Sequence, residues 1–374
     1  MKTNVDLILT VDYEVFGNGS GSVRNCVVEP SAAMVEIANK HQVPLTFFVD
    51  TLEFSKMEKC PATADDGAMV RDQLMRFLTQ GHDLQLHLHP QWREAIWTSE
   101  GWALDDQGWR IGDFSEREVE NMVMMAKTWL TDLATEAGVP YCCDVFRAGG
   151  WAIQPSNHVV RALNMAGIRL DSTIAPGLKN TDKRAWFDFT SVPRKSSWRC
   201  HGSVCEEGQG ELLEVPIAVG DVGYWQHFGL LLAQRRRMGN PCGCHGEYAH
   251  SKNYLAKIRK IKDRLMNLGK VMFDFSVLPA GAMIDIVEQK TRLVSGRATP
   301  VVAISHSKNF TEQSAEELDA LLTWAKSQEY VRLSTYGQWQ QHLGSSETGV
   351  VSDFRKRSIA APLPDLAQVS RIGC

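Results

Sequence analysis

The chain has 374 residues, of which 44% are hydrophobic and 22% charged, and its formal net charge is −4. These values are typical of a globular protein, and the two signs of charge are interspersed, which excludes a basic stripe for nucleic acid or an anionic membrane surface. No run of about 18 apolar residues is present, so we predict no membrane span. The length suits one α/β barrel of about 250 residues with insertions.

The N-terminus and the cysteines indicate a location. The apolar run Leu7–Val11 is too short for a secretory signal. The nine cysteines are odd in number and irregularly spaced, which is not typical of a secreted disulfide framework. We therefore expect a cytoplasmic protein.

Short apolar runs alternate with helical patterns through the first two hundred residues, which is typical of parallel βα units. The predicted strands are Leu7–Val11, Pro44–Val49, Asp83–His89, Tyr141–Arg147, Ile168–Asp171, Glu211–Val219, Val301–His306 and Tyr330–Ser334. Between them we predict helices after Pro30-Ser31, over Met69–Gln80, after Ser115, over His158–Ala166 and over Leu318–Ser327. Ser115 with Glu118, and Ser314 with Glu317, have the spacing of capping boxes that begin helices.

Two segments fit this alternation poorly. We interpret residues 178–300 as an insertion that forms a lid or a subsite wall, and residues 344–374 as a flexible tail, which leaves a barrel over residues 1–343. The insertion contains cysteines and histidines that a structural zinc site could use, but their spacing departs from the usual pairs, so ordinary free thiols are the preferred interpretation. These residues are Cys200, His201, Cys205, Cys242, Cys244 and His245.

Polar residues stand at the C-terminal ends of the predicted strands, where a barrel places its active site. Asp12 and Glu14 follow the first strand, and His87 and His89 end the third. Because side chains two residues apart on a strand point to the same side, each pair can converge on one pocket. Two imidazoles and a carboxylate are the ligands of a catalytic zinc site with an open position for water. The alternative is two separate, solvated strand ends.

Two further strand ends carry groups that could act with this site. Arg147 precedes a pair of glycines, which suggests a charge that orients a carboxylate, although a structural ion pair would also place it there. Asp171 could pair with that arginine or contact the substrate. His306 suits a general acid, because the pKa of an imidazole lies near neutrality.

In this order, the motifs resemble those of the polysaccharide deacetylase family, the NodB-like carbohydrate esterases of family 4. The resemblance covers most of the chain outside the insertion and the tail. The matching pieces are Thr10–Glu14, Pro44–Val49, Gly81–His87, Phe146–Trp151, Leu170–Ser172 and Ser305–His306. The resemblance implies a deformed (β/α)7 barrel and metal-dependent removal of an N- or O-acetyl group from a sugar.

The chain departs from the family pattern at two positions. The family's first motif usually has two adjacent aspartates, whereas here Tyr13 takes the second place and Glu14 follows. The family's second metal histidine normally lies four residues after the first, where this chain has Gln91, so His89 is the substitute. Both changes keep the side chains on one strand face, so a metal site remains physically reasonable.

The resemblance also implies roles for the candidate residues. Asp12 would be the general base, oriented by Arg147, and His306 would protonate the departing amine or alcohol. The cofactor would be a divalent metal ion, for which zinc is the expected identity. Its ligands would be Glu14, His87 and His89. Whether Asp12 and Glu14 exchange the roles of base and ligand stays open at this point.

The expected partner is an acetylated sugar, a nucleotide sugar or a glycan, taken from a surface polysaccharide or its precursor. Two alternatives remain beside the deacetylase. One is a related hydrolase of cyclic amides or formamides on the same barrel. The other is a degenerate barrel that binds a glycan or a partner without turnover, because function depends on the site and not on the fold.

Overall fold

The computed structural model describes residues 4–105, 107–237, 263, 265–292 and 299–346. Its strands are β1 Val5–Tyr13, β2 Thr46–Asp50, β3 Asp83–Leu88, β4 Ile96–Thr98, β5 Gly101–Ala103, β6 Val145–Ala148, β7 Leu170–Asp171, β8 Lys179–Asn180, β9 Phe187–Asp188, β10 Trp198–His201, β11 Ser203–Glu207, β12 Leu213–Glu214, β13 Val219–Asp221, β14 Lys270–Met272, β15 Thr299–Ala303 and β16 Val331–Leu333. Its α-helices are α1 Glu29–Lys40, α2 Thr51–Lys59, α3 Ala64–Thr79, α4 Glu116–Glu136, α5 Asn157–Met165, α6 Tyr224–Arg237, α7 Ala280–Thr291, α8 Glu312–Lys326 and α9 Tyr336–Ser346.

In the central sheet, β16 pairs in parallel with the start of β1, and seven further described strands lie side by side. They lie in the order β15, β1, β2, β3, β6, β7 and β12, and every neighbouring pair is parallel. Beyond β12 the chain reaches Ile217, which forms a parallel bridge with Val302 of β15, and the Ala218 amide donates to the Val302 carbonyl at 2.8 Å. This last contact joins the two ends of the curled sheet, and the predicted deformed (β/α)7 barrel is confirmed.

The barrel strands are buried on both faces because helices cover the outside. All nine residues of β1 and all five of β2 are buried, which explains why these strands read as nearly continuous apolar runs. Outside the sheet, α4 begins at the predicted capping box, in which Ser115 and Glu118 each bond the other's backbone amide. Its apolar face packs toward the barrel.

The second predicted capping box is wrong in its details. The N-cap of α8 is Thr311, whose hydroxyl accepts from the Ser314 amide at 3.2 Å, so the helix begins earlier than predicted. Ser314 instead donates its hydroxyl proton to the Ser276 carbonyl at 2.6 Å. Glu317 accepts from the Ala280 amide at 2.6 Å and so satisfies the start of α7. Both side chains serve tertiary contacts that the local spacing does not reveal.

The predicted insertion, residues 178–300, contains the antiparallel pairs β8–β9, β10–β11 and β13–β14, and it supplies β12 to the barrel. After β14 the chain runs beside the end of β15, where the Ile304 amide donates to Phe273 and the Phe275 amide donates to Ile304. This pairing places Asp274 at the C-terminal end of the barrel. Residues 242–245 of the possible second zinc site, and residues 347–374 of the predicted tail, lie outside the described residues.

Two further observations concern the cysteines and the helices. Cys26 is disulfide-bonded, whereas Cys60, Cys142, Cys143, Cys200 and Cys205 are free. Across the described ranges, no helix has both the length and the apolar character needed to cross a membrane.

Candidate active site

The six predicted site residues lie together at the C-terminal ends of β1, β3, β6 and β15, and they form two groups. We name the first the Glu–His–His cluster, which consists of Glu14, His87 and His89. We name the second the Asp–Arg–His group, which consists of Asp12, Arg147 and His306. The side chains of both groups are buried or nearly so, which keeps bulk water from weakening the charges inside the site.

The Glu–His–His cluster brings three possible ligand atoms within 4.8 Å of one another. Oε2 of Glu14 lies 3.2 Å from Nε2 of His87 and 2.9 Å from Nδ1 of His89. The two imidazole rings meet edge to face, with centroids 4.8 Å apart. One carboxylate oxygen therefore faces both histidines. Its distances to their nitrogens are similar to the distances between two ligand atoms of one small metal ion.

A backbone contact sets the orientation of His87. Its Nδ1 lies 2.9 Å from the carbonyl oxygen of Arg147, and because a carbonyl only accepts, Nδ1 carries a proton and donates it. Such a bond fixes the ring of a metal-ligating histidine and directs its other nitrogen at the site. Nε2 then faces the Glu14 carboxylate. Because an unprotonated Nε2 and a carboxylate oxygen both accept, a proton or a cation is needed between them.

His89 contacts two carboxylates, and its ring lies against a glycine. Its Nδ1 lies 2.9 Å from Oδ2 of Asp50 as well as from Glu14. Burial lowers the pKa of His89, but the negative charges of Glu14 and Asp50 outweigh this and raise that pKa to about 10. A Cβ at Gly149 would lie only 2.4 Å from Cδ2 of the ring. The absence of a side chain at Gly149 therefore leaves room for the ring of His89.

The two oxygens of Glu14 have different partners. Oε2 faces the histidines, whereas Oε1 accepts a hydrogen bond from Nζ of Lys308, which also donates to the Val15 carbonyl at 2.9 Å. Burial raises the pKa of Glu14, but the charges of His89 and Lys308 and the hydrogen bonds from the histidines bring it well below its ordinary value. Glu14 is therefore an anion whose Oε2 remains directed at the histidines.

These donors fit a divalent metal ion. They offer one anionic oxygen and two imidazole nitrogens, a set that zinc accepts in catalytic sites. The orientation of His87 and the paired acceptors opposite it are features that a bound cation would satisfy. The residues that would hold the ion are those of the Glu–His–His cluster.

The Asp–Arg–His group is organised around the fully buried Arg147. Its Nη1 donates to Oδ1 of Asp12 at 2.6 Å and to the Thr10 hydroxyl at 3.0 Å, and its Nε donates to the Ser172 carbonyl at 2.9 Å. The guanidinium stacks 4.0 Å from the centroid of the Phe48 ring. Burial raises the pKa of Asp12, but the charge of Arg147 and nearby histidines lowers it below its ordinary value. Asp12 is therefore ionised with one oxygen fixed.

His306 lies between two carboxylates. Its Nε2 is 3.6 Å from Oδ2 of Asp12, and its Nδ1 is 3.7 Å from Oδ2 of Asp274. Burial lowers the pKa of His306, but Asp274 and Asp12 outweigh burial and raise it above its ordinary value. The ring also meets Trp151 edge to face at 5.9 Å between centroids. This arrangement favours an imidazolium that can give up a proton.

The two departures from the family pattern point away from the site. The Tyr13 hydroxyl donates to Oε1 of Gln73 at 2.7 Å, against α3. The Gln91 amide donates to the Gly17 carbonyl at 3.2 Å. At these two motifs, Glu14 and His89 therefore contribute side chains to the Glu–His–His cluster, whereas Tyr13 and Gln91 do not.

Sequence reasoning missed three residues of the site and left one open. Asp50 ends β2 and could have been found by the same strand-end criterion as Asp12. Lys308 lies two residues beyond the predicted strand Val301–His306, and Asp274 lies in the predicted insertion, so the strand-end criterion selects neither of them. Asp171 accepts a hydrogen bond from the Thr173 hydroxyl at 2.7 Å, and Arg147 pairs with Asp12 instead, so the suggested pairing of Asp171 with Arg147 is not formed among the described residues.

No protein-family profile matches the chain, and no curated protein matches its sequence. Solved structures do resemble it. A 4-alpha-glucanotransferase from Thermococcus litoralis has a TM-score of 0.51 at 11% identity, over 91% of this chain and 40% of that one. A protein described as a polysaccharide deacetylase from Mycobacterium smegmatis has a TM-score of 0.48 at 13% identity, over 93% of both chains. An allantoinase has a TM-score of 0.47 at 10% identity, over 92% of this chain and 91% of that one. The chain thus shares its barrel fold with the glucanotransferase, and the solved structures that resemble it also include proteins described as polysaccharide deacetylases.

Proposed function

We propose that this chain is a metal-dependent deacetylase that hydrolyses the acetyl amide or ester of a sugar. One observation carries the proposal: the buried Glu–His–His cluster and the buried Asp–Arg–His group meet at the C-terminal end of one barrel. The first group has the chemistry of a metal site, and the second contains an ionised carboxylate and a protonatable imidazole. The motif resemblance supports an acetylated glycan or nucleotide sugar of surface polysaccharide synthesis, in the cytoplasm, as the substrate.

The metal would be held by Oε2 of Glu14 and by the imidazoles of His87 and His89. When bound there, a divalent ion such as zinc supplies polarisation of the acetyl carbonyl and a lowered pKa for the attacking water. The Arg147 carbonyl accepts from Nδ1 of His87 and keeps that ring in position, with Nε2 directed at the cluster.

Asp12 suits the general base because its two oxygens are not equivalent. Arg147 occupies Oδ1, so Oδ2 is the oxygen that takes the proton from the attacking water. The low pKa of Asp12 keeps this oxygen ionised at neutral pH. Arg147 is then a positioning residue, and Thr10 and Ser172 hold it in place from the other side.

His306 suits the general acid. The neighbouring carboxylates of Asp12 and Asp274 favour its protonated form, and Nε2 faces the same space as the free oxygen of Asp12. A proton given from this nitrogen to the departing amine or alcohol completes the cleavage. The water's proton and the leaving group's proton are thus handled by different side chains.

Metal analysis combined with a substrate panel tests the proposal. We expect about one equivalent of zinc or a similar divalent ion in the purified protein, and its loss in folded His87→Ala and His89→Ala variants. His41→Ala, at an imidazole that pairs with Asp319 outside both groups, is the matched control. The panel contains acetylated nucleotide sugars, acetylated oligosaccharides, cyclic ureides and formylated sugars.

Release of acetate from an acetylated sugar would support the proposal. Turnover confined to ureides or formyl sugars would assign the related hydrolase instead. Glycan binding without metal and without turnover would assign a non-catalytic barrel. Full metal occupancy in both histidine variants would show that the ligand set is wrong.

A further inference from the structure

Lys308 is the one lysine or arginine whose side chain directly contacts a proposed metal ligand in the described part of the chain. Its side chain is only 12% exposed, and Nζ donates both to Oε1 of Glu14 and to the Val15 carbonyl. The ammonium also lies 5.7 Å from the centroid of the Phe16 ring. These three contacts hold a positive charge at a fixed place beside the Glu–His–His cluster.

The contact between Lys308 and Glu14 gives the two carboxylate oxygens different roles. Because Oε1 is occupied by Lys308, Oε2 alone is free to face His87 and His89. A metal at the cluster would then receive three protein atoms, which is the number that leaves a position open for water in catalytic zinc sites. If both oxygens were free, Glu14 could use them together and occupy that position.

We propose that Lys308 is a positioning residue that competes with the metal for the charge of Glu14 and restricts Glu14 to one metal-facing oxygen. The inference rests on the proposed function, because it takes the Glu–His–His cluster as the metal site. Lys308 therefore makes the metal bind less tightly and keeps a coordination position free. A buried cation beside a divalent cation is strongly repulsive where water is excluded, and this repulsion exceeds the benefit of a pre-oriented carboxylate.

Three substitutions separate charge from orientation. Lys308→Met removes both, Lys308→Gln keeps a donor for Oε1 without the charge, and Lys308→Arg keeps both. We expect Lys308→Met and Lys308→Gln to lower the Kd for Zn²⁺ by about 10-fold or more, since each removes the repulsion. Lys308→Arg should restore a Kd close to that of the wild type. Lys40→Met, at an exposed ion pair with Asp319, is the control and should change nothing.

The Kd values are measured by competition with a chromophoric chelator, with folding checked by circular dichroism. Co²⁺ provides a second readout, because its visible absorption weakens when the coordination number rises above four, and we expect that weakening in Lys308→Met. If Lys308→Met does not fold, Lys308→Gln carries the test. A Kd that stays within about threefold, or that increases, in these variants would overturn the role of Lys308 while leaving the metal site standing. A wild-type protein that binds no Zn²⁺ or Co²⁺ would overturn this inference and the proposed function together.

Discussion

The buried ion pair between Arg147 and Asp12 gives the sharpest prediction about stability. Arg147→Met keeps most of the side-chain volume but removes the guanidinium. Asp12 is 2% exposed, so its carboxylate would be left in the barrel without its closest cation. Removing one partner of a buried ion pair typically costs about 3–5 kcal/mol, because the remaining charge is neither solvated nor paired. We expect a loss of that size in the free energy of unfolding.

The double variant Arg147→Met with Asp12→Asn shows whether the unpaired charge causes the loss. With both charges removed, the stability should recover by about 1–3 kcal/mol relative to Arg147→Met alone. The recovery should be incomplete, because the Ser172 carbonyl and the Thr10 hydroxyl still lose the hydrogen bonds that Arg147 donates. Neither variant should retain turnover, since Arg147→Met removes the residue that positions the proposed base and the double variant also removes the base itself.

Urea unfolding followed by tryptophan fluorescence measures these differences, provided that the slope m is unchanged and the transition is two-state. Arg161→Met is the control, because Arg161 pairs with Glu116 on the surface and is 58% exposed. Its loss should stay below about 1 kcal/mol. The reasoning is refuted if Arg147→Met costs no more than this control, or if the double variant is as unstable as the sum of the two single variants.

Three further predictions concern the ligand roles, the space around the cluster and the response to pH. Asp12→Asn should keep its metal but lose turnover by about 10²–10⁴-fold, whereas Glu14→Gln should lose metal and turnover together. Metal analysis and an acetate-release assay on both variants check this. The opposite pattern would exchange the roles of base and ligand. Gly149→Ala should weaken metal binding in a protein that still folds, because the new Cβ would lie 2.4 Å from the ring of His89; a chelator titration with unchanged affinity would contradict the geometry. Burial lowers the pKa of His82 to about 4. The unfolded chain therefore takes up a proton at this residue below about pH 6.5, whereas the folded chain takes it up only near pH 4. Stability should fall by up to about 3 kcal/mol as the pH falls from about 6.5 to about 4. His82→Gln should remove this part of the pH dependence, as measured by urea unfolding at several pH values, and an unchanged slope would show that His82 is not its source.

Local sequence patterns predict the barrel strands and several of the site residues. The apolar runs predict the barrel strands, because a strand buried on both faces needs continuous apolar sequence. Asp12, Glu14, His87 and His89 follow from position alone, since a strand's two-residue period and the parallel arrangement direct their side chains to one end of the barrel. The capping box at Ser115 is equally local, because both of its partners lie within one helical turn.

Contacts between distant parts of the chain decided the rest. Lys308 and Glu14 are 294 positions apart, and Arg147 and Asp12 are 135 apart, so no local pattern relates the first pair and only the motif order suggested the second. The barrel closes through Ile217 and Val302, which no hydrophobic periodicity pairs. Sequence spacing describes what neighbours along the chain can do, whereas the charge around a buried carboxylate depends on every element packed against it. The partners of Glu14 and Asp12 therefore became known only when the sheet was curled and its strand ends were brought together.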